Sequence, residues 1–179
     1  MTRRRSITPF LPAMLLAAVA APVLGGCGLQ PLYADGRSGA VGTLLADVRV
    51  APIAGHDGWL VRNALRDRLA ASKEETGGER YRLDVRLEDS ITGFGVRADD
   101  AITRERRTLR ARYQLVDAAT GEVLLDATAA ADAGIDVVGS EYATIAAESS
   151  ALERLAATVA DQIVARLSVY ATRGPAATP

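Results

Sequence analysis

One cysteine and one histidine in 179 residues remove whole classes of chemistry before any motif is sought. A Cys/His zinc cluster needs several such ligands and an intramolecular disulfide needs two thiols. A Cys-His dyad would consume both residues and leave no spare nucleophile. Aromatic side chains are sparse as well, with one Trp, two Phe and five Tyr, so stacking platforms for single-stranded nucleic acid are hard to build and no nucleic-acid partner is expected. The core must come from Leu, Val, Ile and Ala packed between regular elements. No catalytic residue, metal site or cofactor is expected, and the chain does not read as an enzyme. Its length suits one domain plus a targeting segment.

What is present starts with an address. Arg3, Arg4 and Arg5 precede a mostly apolar run from Phe10 to Leu24, a basic segment followed by a hydrophobic one. The run is shorter than the ~20 residues a membrane-crossing helix needs, and Pro12 and Pro22 interrupt it. It ends in Leu24-Gly25-Gly26-Cys27, which resembles the bacterial lipobox. That resemblance implies cleavage before Cys27 and acylation of its thiol, so the only prosthetic addition is covalent lipid on Cys27. Several acyl chains supply the two-signal membrane anchoring that one cannot. An uncleaved anchor with Cys27 as a free thiol is the competing reading. The three arginines also suggest a twin-arginine signal, but that motif is incomplete and the export route stays open. Gly28, where retained lipoproteins often carry Asp, points by the same resemblance to the outer membrane, with the soluble part on the periplasmic side.

Without residues 1–26 the chain keeps 18 basic against 22 acidic residues, a net charge of -4. The basic charge is concentrated, since Arg80 to Arg112 holds nine arginines against six acids. Residues 27–47 carry Pro31 and several glycines with no sustained period and read as a lipidated tether. Residues 48–170 form the expected domain, and 171–179, small and proline-bearing, a disordered tail. Val48 to Ile53 reads as a short strand, and Trp59 to Ser72 as a helix with Leu60, Ala64, Leu65 and Leu69 as its stripe. Tyr81, Leu83, Val85 and Leu87 alternate with charged residues. Leu109, Ala111, Tyr113 and Leu115 alternate with Thr108, Arg110, Arg112 and Gln114. A turn at Thr120-Gly121 leads to a third strand from Val123, its small residues Ala127, Ala129 and Ala131 leaving room beside the sheet. Ser140 then caps a helix to Tyr170 whose stripe runs through Tyr142, Ile145, Ser149, Leu152, Ala156, Val159, Ile163 and Leu167. The expected fold is α+β, a two-layer sandwich in the order β-α-β-β-β-α. Its sheet is mostly antiparallel, with two helices on one face and the arginines on the other.

Lesser motifs carry less. His56-Asp57 reads as a turn rather than a base with its orienting acid, and Gly93-Phe94-Gly95 as a strand bend rather than a phosphate loop. Asp99-Asp100 and Glu74-Glu75 read as ordinary surface pairs unless the fold gathers more oxygen ligands.

The segment Cys27-Gly28-Leu29-Gln30-Pro31-Leu32-Tyr33 resembles the opening of the LptE family of lipopolysaccharide-assembly lipoproteins, in its alphaproteobacterial form. Further matches are Leu60-Val61-Arg62-Asn63-Ala64-Leu65, Thr103-Arg104, Tyr113 to Asp117, Thr120-Gly121, Ala160 to Ile163, and Arg166-Leu167. The resemblance implies an outer-membrane lipoprotein that plugs and helps assemble an LptD-like β-barrel, the translocon that delivers lipopolysaccharide to the outer leaflet. Its partners would be that barrel, lipopolysaccharide, and the membrane through the lipid. Arg104, Arg106, Arg107, Arg110 and Arg112 are the densest basic cluster, suited to lipid A phosphates, to acidic groups of the barrel lumen, or to ion pairs on a solvated face. The rival reading is a periplasmic auxiliary or lipid-binding lipoprotein of an ABC-type lipid transport system, which needs a defined apolar pocket.

Overall fold

A computed structural model describes residues 39–70, 79–96, 102–137 and 139–173. The signal segment, Cys27, the pairs Glu74-Glu75 and Asp99-Asp100, and the tail from residue 174 lie outside the described residues. Among the described residues seven elements follow one another: α1 (Ala40–Ala46), β1 (Val48–Val50), α2 (Gly55–Ala70), β2 (Tyr81–Val96), β3 (Ile102–Asp117), β4 (Val123–Asp136) and α3 (Glu141–Arg173). The strands form one sheet in sequence order.

The architecture is α+β with the mostly antiparallel sheet expected: β2–β3 and β3–β4 are antiparallel, while the short β1 runs parallel to β2 and makes the sheet mixed. Joining β1 to β2 through a helix dictates this, since α2 carries the chain back to the end where β1 began. One feature differs from the sequence expectation: α1 falls in the stretch read as tether. Val41, Leu44 and Leu45 recur at helical spacing and are buried, so these seven residues belong to the core rather than to a solvated linker.

The alternating strands behave as their pattern dictates. Leu83 and Val85 of β2, Leu109, Ala111, Tyr113 and Leu115 of β3, and Ala129 of β4 are buried on one face of the sheet. Val61, Leu65 and Leu69 of α2 and Leu152, Leu155, Ala156, Val159, Ile163 and Leu167 of α3 close over them in one cluster. Fully burying one such Leu or Ile contributes about 1.5–3 kcal/mol. The α2 stripe is turned slightly from the expected one: Val61 is buried, and Leu60 and Ala64 are only partly so. Strand β2 continues past its alternating stretch through Gly93 to Val96, and β4 runs to Asp136.

Small residues bring α3 close to β4. Ala127, Ala131 and Ala133 pack against the core beside buried Ala129, so the room they leave is occupied by the protein's own helix. The Gln162 amide reaches from α3 to the outer edge of β4, donating to the Ala130 carbonyl and accepting from its N–H, each at 3.2 Å. Arg68 joins the two long helices. Its guanidinium donates to the carbonyls of Ala64 and Ala157 at 2.9 and 3.1 Å and to Asp161 Oδ2 at 3.0 Å. Between β3 and β4 the expected turn forms, with Asp117 Oδ1 accepting from the N–H groups of Ala119 and Thr120 at 2.9 and 3.0 Å. Gly121 there has φ of 75°, a conformation that favours glycine.

Candidate functional site

Helices cover one face of the sheet, and the face they leave open collects the even-numbered residues of β2 and β3. There the register sets Asp84 across from Gln114, Arg86 from Arg112, Glu88 from Arg110, Ser90 from Thr108, and Phe94 from Arg104. From β4 come Asp126 opposite Gln114, Asp132 opposite Thr108 and Asp136 opposite Arg104. The open face is therefore a lattice of interleaved charges rather than a basic patch.

Three of its arginines, Arg82, Arg104 and Arg112, are ion-paired within the domain. Arg104 Nε donates to Asp136 Oδ1 at 2.9 Å, and both side chains stay more than half exposed. Arg112 donates to both oxygens of Asp126, at 3.2 and 2.9 Å, while Gln114 Nε2 adds a bond at 2.8 Å. These bonds hold the Asp126 carboxyl below the usual carboxylate range, Arg112 contributing most and Gln114 next. The Arg106 guanidinium lies 5.6 Å from the centroid of the Phe94 ring, close enough for a cation–π contact. Arg82 pairs with Asp84 at 2.9 Å on the same strand. Among the described residues Arg106 and Arg110 form no ion pair. They are the cations of this cluster with charge to spare.

Arg107 does not join the others. It shares the parity of Leu109 and Ala111 and points to the helix side, where its side chain is 13% exposed. Nε donates to both carboxylate oxygens of Asp89, at 3.0 and 3.2 Å, and Nη1 donates to the Glu148 carbonyl of α3 at 2.9 Å. The Asp89 bond outweighs the cost of burial and raises the Arg107 pKa, with smaller help from the nearby charges of Glu148 and Asp57. One side chain thus ties β2, β3 and α3 together. Sequence reasoning grouped Arg107 with its neighbours by density along the chain. Strand parity, counted from Leu109, is the signal that separates it.

The remaining candidates are quickly placed. His56 and Asp57 lie in the first turn of α2, with the His56 ring stacked on Trp59 at 6.2 Å between centroids. Gly93 and Gly95 lie within β2. A groove of about 820 Å³ runs between β1 and α2, lined by Arg49, Arg62, Arg66, Asp67 and Glu79 among others. Its lining mixes these charges with Val48, Val50, Pro52 and Leu69, and a smaller cavity of about 520 Å³ lies among Leu44, Tyr81, Leu124 and Tyr170. No helix among the described residues is long and apolar enough to cross a membrane.

A layer of helices over one face of a mixed sheet, with ion pairs spread across the opposite face, defines a two-layer α+β domain. The family model for lipopolysaccharide assembly, LptE, matches residues 45–167, which takes in the whole sheet and most of α3, and the chain belongs to that family of lipopolysaccharide-assembly lipoproteins. Among curated proteins none matches. Among solved structures, a Caulobacter crescentus protein described as a lipoprotein is similar over 78% of this chain and 100% of its own, at 26% identity and a TM-score of 0.61. Rare lipoprotein B from Shewanella oneidensis covers 70% of this chain and 96% of its own at 8% identity and a TM-score of 0.55. A minor lipoprotein from Acinetobacter baumannii covers 70% and 94%, at 15% identity and the same TM-score. At such identities the last two attest the fold alone.

Proposed function

We propose that the protein is anchored by lipid on Cys27 to the periplasmic side of the outer membrane and serves as plug and assembly partner of an LptD-like β-barrel in lipopolysaccharide translocation. It acts by binding, not catalysis. The observation that carries this reading, beside the family, is the open sheet face, on which arginines and aspartates alternate across three strands. Such a surface is costly to bury against lipid or an apolar partner, whereas it suits the polar interior of an outer-membrane barrel. Charges already paired within the domain need no counterpart from the barrel wall, so the body can enter the lumen without stranding them. The test is affinity purification of the protein from outer membranes. A barrel of the LptD type recovered in one-to-one amount is the expected result, and its absence would remove the reading.

A second role is supported by Arg106 and Arg110, whose charges no carboxylate neutralises among the described residues. Two guanidinium forks on one face suit the phosphates of lipid A. Reversing both to Glu separates the two roles. Loss of salt-sensitive lipopolysaccharide binding with the barrel still copurifying assigns them to lipid, and loss of the barrel first assigns them to docking.

A further inference from the structure

The two outer edges of the sheet are finished differently. Along β4 the amide and carbonyl of Ala130 are both taken by Gln162. Asp126, Asp132 and Asp136 line the same strand, and charges so placed oppose edge-to-edge pairing. Along β2 the cover is β1, three residues long.

The hydrogen bonds at that junction fix which backbone groups of β2 face outward. Tyr81 N–H donates to the Asp47 carbonyl and the Leu83 carbonyl accepts from Ala51 N–H, both at 3.0 Å, so the odd-numbered residues point away from β3. The register with β3 runs without a slip from Tyr81 to Phe94. Leu87, Asp89, Ile91 and Gly93 therefore hold their N–H and C=O groups toward the open edge, where no strand among the described residues pairs with them. Pro52 lies beside Asp84, Val85 and Arg86, so the free stretch begins just beyond, at Leu87. From there to Gly93 the edge runs about 20 Å at ~3.3 Å per residue.

Side chains along this stretch specify what fits. Toward the helix side it shows Leu87 and Ile91, and Ile91 is 42% exposed although it shares the parity of the core residues. The charge of Asp89 is met by Arg107. Toward the open side stand Glu88, Ser90 and Thr92. The missing neighbour is thus an extended backbone with apolar side chains on one side and polar ones on the other. A second copy is the competing occupant, since a β2–β2 pairing can set Leu87 opposite Ile91 while each Asp89 keeps its own Arg107; its dependence on concentration tells it apart.

We propose that this edge receives a strand in trans from the barrel partner, an extended segment of alternating apolar and polar residues that pairs with Leu87 to Gly93. The proposal rests on the functional reading above, and it names the backbone edge rather than the charged face as the anchoring surface. Strand addition of this kind draws affinity from main-chain hydrogen bonds and specificity from alternate side chains.

Hydrogen exchange decides it. In the complex isolated from outer membranes, the amides of Leu87, Asp89, Ile91 and Gly93 are expected to exchange at least about tenfold more slowly than in the protein alone. Ile91→Pro removes an outward N–H without touching a bond to β3 and is expected to lower barrel recovery, whereas Ile91→Val leaves it unchanged. Should the proline variant melt early, the exchange comparison on the unaltered protein still decides. Unchanged exchange in a complex that contains the barrel overturns strand addition and leaves the functional reading standing, whereas a preparation without the barrel overturns that reading itself. Protection already complete in the protein alone gives the edge to its own chain, and protection that grows with concentration gives it to a second copy. Either result overturns the proposal.

Discussion

Arg104 and Arg107 lie three residues apart on one strand, and their surroundings assign them different work. Arg104 shares an exposed pair with Asp136, the kind of contact commonly worth under ~1 kcal/mol. Arg107 is nearly enclosed, and removing it would leave Asp89 without its guanidinium and take one added donor from the Glu148 carbonyl. Arg107→Ala is therefore expected to destabilise by about 2 kcal/mol, lowering Tm by about 4–8 °C in a domain of this size. Arg104→Ala should lower Tm by less than about 4 °C by the same relation; thermal melts followed by circular dichroism check both. Acid sensitivity has a named contributor in Asp161, whose carboxyl the Arg68 hydrogen bond holds below the usual range. A carboxyl lowered by folding stabilises fully above its ordinary pKa of about 3.9, and that contribution fades as pH falls through the lower folded value. Asp161→Asn should accordingly flatten the decline of stability below about pH 4, at a cost near neutrality of under ~1 kcal/mol. Measuring urea midpoints across that pH range is the check. None of this partnership was legible in the sequence, because Arg68 and Asp161 are 93 positions apart and only the packing of α2 on α3 brings them together.

Among the elements, legibility followed periodicity. The alternation in β2 and β3 gave both strands and their buried faces, and the three-and-four spacing from Leu152 to Leu167 gave the covering helix. The start of that helix departs from the expected stripe, since Tyr142 is 88% and Ile145 55% exposed. An apolar residue at the right interval is buried only where the helix still has sheet beneath it. Val159→Asp is thus expected to cost several kcal/mol and to abolish cooperative melting, as Val159 is wholly enclosed. Ile145→Asp, in the same helix and on the same expected stripe, should change Tm by less than about 2 °C. Equal losses from the two substitutions would mean that the first turns of α3 are covered. Helix α1 escaped notice because seven residues interrupted by Gly42 are too few to display a period, and its burial depends on contacts far away in sequence. Mixed pairing followed from the β-α-β order, which requires β1 and β2 to be parallel when they are neighbours.

At the scale of the whole molecule, anchoring and docking are expected to be separable. On the proposed reading, in which lipid is the remaining strong anchor once the barrel is gone, Cys27→Ser should move the protein from the membrane fraction to the soluble periplasm in cells lacking the barrel. Fractionation and immunoblotting read the outcome, and unchanged sedimentation with membranes would show another anchor. The order of the elements carries a consequence in time. Strands β2, β3 and β4 are joined by hairpins to their sequence neighbours, and such local pairings form quickly. Their lid comes from opposite ends of the chain, α1 and α2 before these three strands and the 33 residues of α3 after them. As the polypeptide emerges amino terminus first, the hairpins are ready while Leu109, Tyr113 and Leu115 still face water, and they stay so until the last helix arrives. The apolar face is expected to be bare for that interval, and a truncation that removes α3 is expected to leave it bare for good.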